Sequence, residues 1–166
     1  EFYDEMAGLG ETIGQAVYYS STEDSWFDSA HTGVWLEGHV NNFTMRGGRA
    51  NGNEYGVRVT GAPLGLRIRD AGFDNDTVAA LWIDGSPARD TVAVLISGCY
   101  FEQPDGVPDI VLGPNTWVSA VRVESCAFIK SDLSGTGWHI DAKNVKGLTI
   151  ADSYFTSSQA VRVLSP

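Results

Sequence analysis

The sequence predicts an all-β solenoid, a right-handed single-stranded parallel β-helix of about five coils, and two interleaved repeats carry that prediction. The first repeat is an apolar, a small and an aromatic residue at fixed spacing. Ile96, Cys99 and Phe101 recur 27 residues later as Val123, Cys126 and Phe128, and 27 later again as Ile150, Ser153 and Phe155. Ile68, Ala71 and Phe73 fit the template one unit earlier, and Met45, Gly48 and Ala50 one unit before that. The second repeat is a pair of apolar residues flanking one other. It falls between copies of the first: Val34 and Leu36, Val57 and Val59, Leu81 and Ile83, Ile110 and Leu112, Trp138 and Ile140, Val161 and Val163.

Alternation with period two over three to five residues is the mark of a strand, and no stretch sustains a helical period for three turns. Each repeat therefore reads as two strands. Turn formers separate them, among them Gly47-Gly48, Asn51-Gly52-Asn53, Gly61-Ala62-Pro63, Asp84-Gly85-Ser86-Pro87 and Pro104-Asp105-Gly106. Strands that return in the same order stack in parallel, each coil about 4.8 Å above the last, and crossover chirality favours the right hand. Repeat lengths of 23 to 29 residues, taken between Leu36, Val59, Ile83, Leu112, Ile140 and Val163, place the variable corners at 84 to 93, 102 to 109 and 129 to 137.

Residues 33 to 166 form the repeat array, whereas 1 to 32, with Glu1-Phe2-Tyr3-Asp4-Glu5 and Trp26-Phe27-Asp28, read as an irregular lead-in, cap or connection. The chain begins with Glu1 and ends as a second strand closes, the expectation for a piece of a longer protein whose coil ends are covered by other domains. A net charge of -10 argues against nucleic acid and anionic membranes as partners, since both demand clustered cations. No apolar run approaches the roughly 18 residues of a membrane span.

Within the core, Cys99 and Cys126 occupy one inward position a coil apart, in a ladder of small side chains with Ala71 and Ser153 beside a Phe73, Phe101, Phe128, Phe155 stack. Outward residues are the more informative. Alternation along the second strand sends Trp35, Arg58, Trp82, Val111, His139 and Arg162 to the outside as one column. Tryptophan on a solvated face reports a ligand, a partner subunit or a covering loop. Aromatic faces stack on sugar rings, and arginine offers planar donors to acidic sugars. The outward first-strand columns, Thr44, Arg67, Leu95, Arg122, Thr149 and Arg46, Arg69, Ser97, Glu124, Ala151, are mixed.

On this coil template, residues 33 to 166 resemble the pectate-lyase-like β-helix superfamily and, within it, the shafts of bacteriophage tailspikes. The resemblance implies a virion or extracellular protein, a homotrimer packed around a threefold axis, and host-surface polysaccharide as partner. It also makes a subunit interface the plain alternative to glycan contact for the Trp35, Arg58, Trp82, His139, Arg162 column. The implied role is structural support with glycan adhesion. A polysaccharide hydrolase or lyase of the same fold and a bacterial surface adhesin are the alternatives.

For an enzyme, polygalacturonase-like sequences carry Asp-Asp and Gly-His-Gly, which this chain lacks, leaving Arg67-Ile68-Arg69 as an imperfect echo of Arg-Ile-Lys. Asp84 and Asp141, read as equivalent positions two coils and about 10 Å apart, are the weak catalytic candidates; an inverting pair stands about 6.5 to 9.5 Å apart. Asp70, Asp74, Asn75 and Asp76 read as a solvated turn rather than a calcium loop. His31, His39 and His139 lack metal-ligand spacing, so neither a metal nor another cofactor is expected.

Overall fold

The structure is a computed structural model that describes residues 17–38, 40–130, 137–157 and 159–164. The expectations for Glu1 to Glu5 and for His39 lie outside them. The first rung consists of β1 (Val17–Glu23), β2 (Trp26–Asp28) and β3 (Thr32–Leu36), and the second of β4 (Val40–Arg46), β5 (Arg49–Asn51) and β6 (Tyr55–Val59). The third holds β7 (Leu64–Arg69), β8 (Gly72–Asp74) and β9 (Ala79–Ile83), and the fourth β10 (Thr91–Ser97), β11 (Tyr100–Gln103) and β12 (Ile110–Leu112). Then come β13 (Val118–Glu124), β14 (Ala127–Lys130) and β15 (Ile140–Ala142), and last β16 (Val145–Ala151), β17 (Tyr154–Phe155) and β18 (Val161–Val163).

These strands form three parallel six-stranded sheets in the orders β1-β4-β7-β10-β13-β16, β2-β5-β8-β11-β14-β17 and β3-β6-β9-β12-β15-β18. The fold is the parallel β-solenoid of about five turns that the repeats demand, with three strands to a turn where two were expected. The apolar-small-aromatic motif spans two strands and the corner between them: Ile96 closes β10, Cys99 sits in the bend and Phe101 lies in β11. The stack also begins sixteen residues before the boundary expected at residue 33, because β1 pairs with β4 and β2 with β5.

Two columns of left-handed residues shape every turn. Asp24, Gly47, Asp70, Gly98, Ser125 and Asp152 bend the chain from the first sheet to the second, all with φ between 46° and 64°. The amide of each of the first five donates to the carbonyl one rung up, for example Asp70 N to Ser97 O at 3.0 Å. A second column, Tyr19, Asn42, Gly65, Ala93, Ala120 and Gly147, interrupts each long first-sheet strand, again with positive φ throughout. A left-handed conformation is costly for a residue with a Cβ, and here it is sustained by the rungs on either side.

Inside, Phe43, Leu66, Val94 and Val121 join Val57, Leu81, Ile110 and Ile140 in one apolar core. The phenylalanine ladder closes its third side, with ring centroids 5.2 Å apart for Phe73 and Phe101, 4.8 Å for Phe101 and Phe128, and 4.7 Å for Phe128 and Phe155. Cys99 and Cys126 are buried free thiols beside it, as the small-residue ladder predicts. The Cys99 thiol is pushed well above its ordinary range by its hydrogen bond with Cys126 and by burial.

The corner after the second sheet is not apolar. Asn53, Asp76, Gln103 and Lys130 point inward from successive rungs and are all but fully buried. Asp76 Oδ1 accepts from Asn53 N at 3.0 Å and Asn53 Nδ2 at 3.2 Å, and Gln103 Oε1 accepts from Asp76 N at 2.7 Å. Of the solvated turn expected at Asp70, Asp74, Asn75 and Asp76, Asp70 and Asn75 are exposed, whereas two carboxyls are buried: Asp76, because a backbone amide one rung away needs an acceptor there, and Asp74, beside the Arg49 guanidinium.

Candidate functional site

A core filled by side chains leaves the outer faces of the sheets for function. On the third sheet, pairing brings Trp35, Arg58, Trp82, Val111, Asp141 and Arg162 into one outward column. Four of the five residues expected to form a site, Trp35, Arg58, Trp82 and Arg162, stand in it. His139 does not. β15 aligns Ile140 with Ile110 and Ala142 with Leu112, so the inward pair is Ile140 and Ala142 rather than Trp138 and Ile140. The Trp138-x-Ile140 alternation imitates the motif, and the small Ala142 that occupies the true position does not announce itself.

The lower half of the column is a built cluster. The Arg58 guanidinium lies 5.0 Å from the Trp35 ring centre and 4.9 Å from that of Tyr55. Tyr55 meets Trp82 edge-on, centroids 5.7 Å apart, and the Trp35 indole donates to Thr60 Oγ1 at 2.8 Å. Each half-exposed cation–π contact contributes about 0.5 to 1 kcal/mol, and together they hold four long side chains in one arrangement. Above Val111, Arg162 grips Asp141 with two donors, Nε to Oδ1 at 2.9 Å and Nη2 to Oδ2, and lies 5.7 Å from the Trp138 ring. The hydrogen bond to Asp141 raises the pKa of Arg162 further.

His139 is fully buried between Phe128 and Phe155, its ring centre 5.8 Å and 5.6 Å from theirs. Its Nδ1 hydrogen-bonds Asp109 Oδ2, which also receives Lys130 Nζ at 3.3 Å; Lys130 Nζ donates in addition to Val107 O at 2.6 Å. Burial pushes the Asp109 carboxyl up and the Lys130 ammonium down, each shift opposed by the other's charge. Sealed from solvent, the trio ties the second corner to β15.

The two catalytic candidates do not converge. Asp84 follows Ile83, whereas Asp141 aligns with Trp82, so the equivalence expected of them falls with the two-residue register shift in β15. Asp84 is a corner clamp, accepting from Thr116 Oγ1 at 2.6 Å, Asn115 Nδ2 at 2.8 Å, Thr116 N at 2.9 Å and Gly85 N at 3.1 Å. Its oxygens are occupied by the fold, as those of Asp141 are by Arg162.

A further face went unread in the sequence because the strand that carries it was not recognised. On the second sheet, Trp26, Arg49, Gly72, Tyr100, Ala127 and Tyr154 form the outward column, and Asp28, Asn51, Asp74 and Glu102 run beside it. Trp26, Arg49, Gly72, Asp74, Tyr100 and Glu102 line an open cleft of about 490 Å³. Arg49 Nη2 meets Asp74 Oδ2 at 2.5 Å, and Tyr100 OH donates to Glu102 Oε2 at 2.7 Å, which pushes the Tyr100 hydroxyl up to about 12. The available signal was the tyrosine that precedes the repeating phenylalanine in Cys99-Tyr100-Phe101 and Ser153-Tyr154-Phe155.

Comparison of the chain with protein-family models, curated proteins and solved structures finds no match.

Proposed function

We propose that the chain is a β-helical shaft segment of a host-surface appendage of the bacteriophage tailspike or tail-fibre kind, giving structural support and adhering to surface glycan. The single observation that carries this reading is the Trp35–Arg58–Tyr55–Trp82 cluster on the outside of a rigid stack. Aromatic and arginine side chains are enriched where proteins meet partners, and here they are pre-ordered by one another. Asp84 and Asp141, held by the fold, lend nothing to the alternative of a polysaccharide-degrading enzyme.

In this reading three copies pack side by side through their third-sheet faces, leaving the other outer faces to glycan. The test is sedimentation velocity with a bacterial polysaccharide array, on the wild type and on Trp82→Ala. Trimers that bind at least one polysaccharide, with association weakened at least tenfold by Trp82→Ala, are the expected result. A monomer at micromolar concentration that ignores every polysaccharide overturns the proposal.

A further inference from the structure

The second-sheet cleft has the features of a built binding site. Its walls are aromatic: Trp26 is 71% exposed and Tyr100 40% exposed, on rungs that pairing places three apart, about 14 Å at the strand spacing. Between them Gly72 contributes no side chain, so the column dips where its neighbours would fill it. Two rungs above Tyr100, beyond the small Ala127, stands Tyr154, which is 63% exposed. Flat, solvent-facing rings separated by small residues along a straight rod make stacking platforms for an extended chain of rings.

The floor is acidic. Asp74 and Glu102 are adjacent-rung partners, Asp28 lies two rungs below Asp74, and Arg49, the one cation among the described residues that line the cleft, is engaged by Asp74 Oδ2. Asp74 is 7% exposed, and its other oxygen, Oδ1, is buried with no hydrogen-bond partner. An unpaired buried carboxylate oxygen is unfavourable, and positive charge beside the carboxyl offsets part of that cost. Burial and the neighbouring Glu102 charge push the Asp74 carboxyl up against the pull of Arg49.

We infer that this cleft binds an amino-sugar oligosaccharide laid along the solenoid axis, its pyranose faces on Trp26 and Tyr100 and an ammonium group toward Asp74 and Glu102. Uronic and sialic acids are disfavoured by the same carboxylates. The inference rests on the proposed glycan adhesion and names its sugar class and site.

The probes are the fully deacetylated glucosamine tetramer and the galacturonate tetramer, titrated calorimetrically into the wild type, Tyr100→Ala, Glu102→Gln, Glu23→Gln and Trp82→Ala. The glucosamine tetramer is expected to bind at least tenfold tighter than the galacturonate. Tyr100→Ala and Glu102→Gln each weaken it at least fivefold at unchanged melting temperature. Glu23→Gln, an equal charge change on the first sheet, leaves it in place and so separates the cleft from general attraction to an acidic protein. Equal or tighter galacturonate binding, no binding of either, or binding that Tyr100→Ala and Glu102→Gln leave unchanged overturns the inference. Cleft binding that survives in a Trp82→Ala monomer supports it independently of the shaft reading, and trimers that bind other glycans but not glucosamine overturn it alone.

Discussion

Phe101 and Phe128 lie face to face one rung apart, ring centroids 4.8 Å apart and planes 2° from parallel. Side chains at equivalent positions of stacked parallel strands share both position and direction, so a residue type repeated along the column stacks on itself. Phe128 has a ring on each side and the His139 ring tilted 57° to its own. Phe128→Ala is expected to lower unfolding free energy by about 3 to 5 kcal/mol, because neither neighbour can move along the axis to close the gap. Equilibrium denaturation in urea gives the value; a loss under about 1 kcal/mol contradicts a packed ladder.

Asp76 links stability to pH. Burial holds its carboxyl at about 7, above the ordinary 3.8, so the folded chain binds this proton more tightly than the unfolded one. Stability from this group is therefore present at low pH and lost as pH rises from about 4 through 7. The wild type should fall by a few kcal/mol relative to Asp76→Asn across that interval, at roughly 1.4 kcal/mol per unit. Parallel curves for the two proteins between pH 4 and 8 would contradict it.

Asp109 holds Lys130 and His139 in a space closed to water. Asp109→Ala strands a buried ammonium, and a loss of about 3 to 5 kcal/mol is expected. Asp109→Ala with Lys130→Met removes the charge together with its partner and should recover part of that loss. A double-mutant cycle with no coupling between the two would rule out a shared network.

Ala120 has φ 53° in a column where Gly65 and Gly147 stand at other rungs. Ala120→Gly is expected to raise stability by about 0.5 to 1 kcal/mol, since relief of the left-handed strain outweighs the entropy that glycine adds to the unfolded chain. Val121→Gly, one residue on and facing the core, should instead destabilise by more than 2 kcal/mol, as deletion of a buried side chain does. Thermal melts of the two variants measure the opposite signs.

The period, the parallel stack and the phenylalanine and cysteine ladders were legible in the chain, because a column that stacks on itself imposes the same residue types at the same interval. Both outward first-sheet columns, Thr44 to Thr149 and Arg46 to Ala151, were also read correctly, since period-two alternation holds at the ends of those strands. The third strand of each turn was not legible. β8 and β11 are three and four residues long, too short to show a period, and the bends before them rest on Asp70 and Gly98 in a left-handed conformation that sequence does not announce.

Hydrophobicity sorts residues into inward and outward, and it failed where a polar side chain goes inward to meet a polar partner. Asp76, Gln103, Lys130 and His139 are buried only because neighbouring rungs offer partners at hydrogen-bonding distance. Sequence by itself determined the class of fold and the contents of its apolar core. Tertiary structure decided the register of β15, the exchange of His139 for Asp141 on the third face, and the second-sheet cleft, because each depends on which residues of different rungs come within a few ångströms of one another.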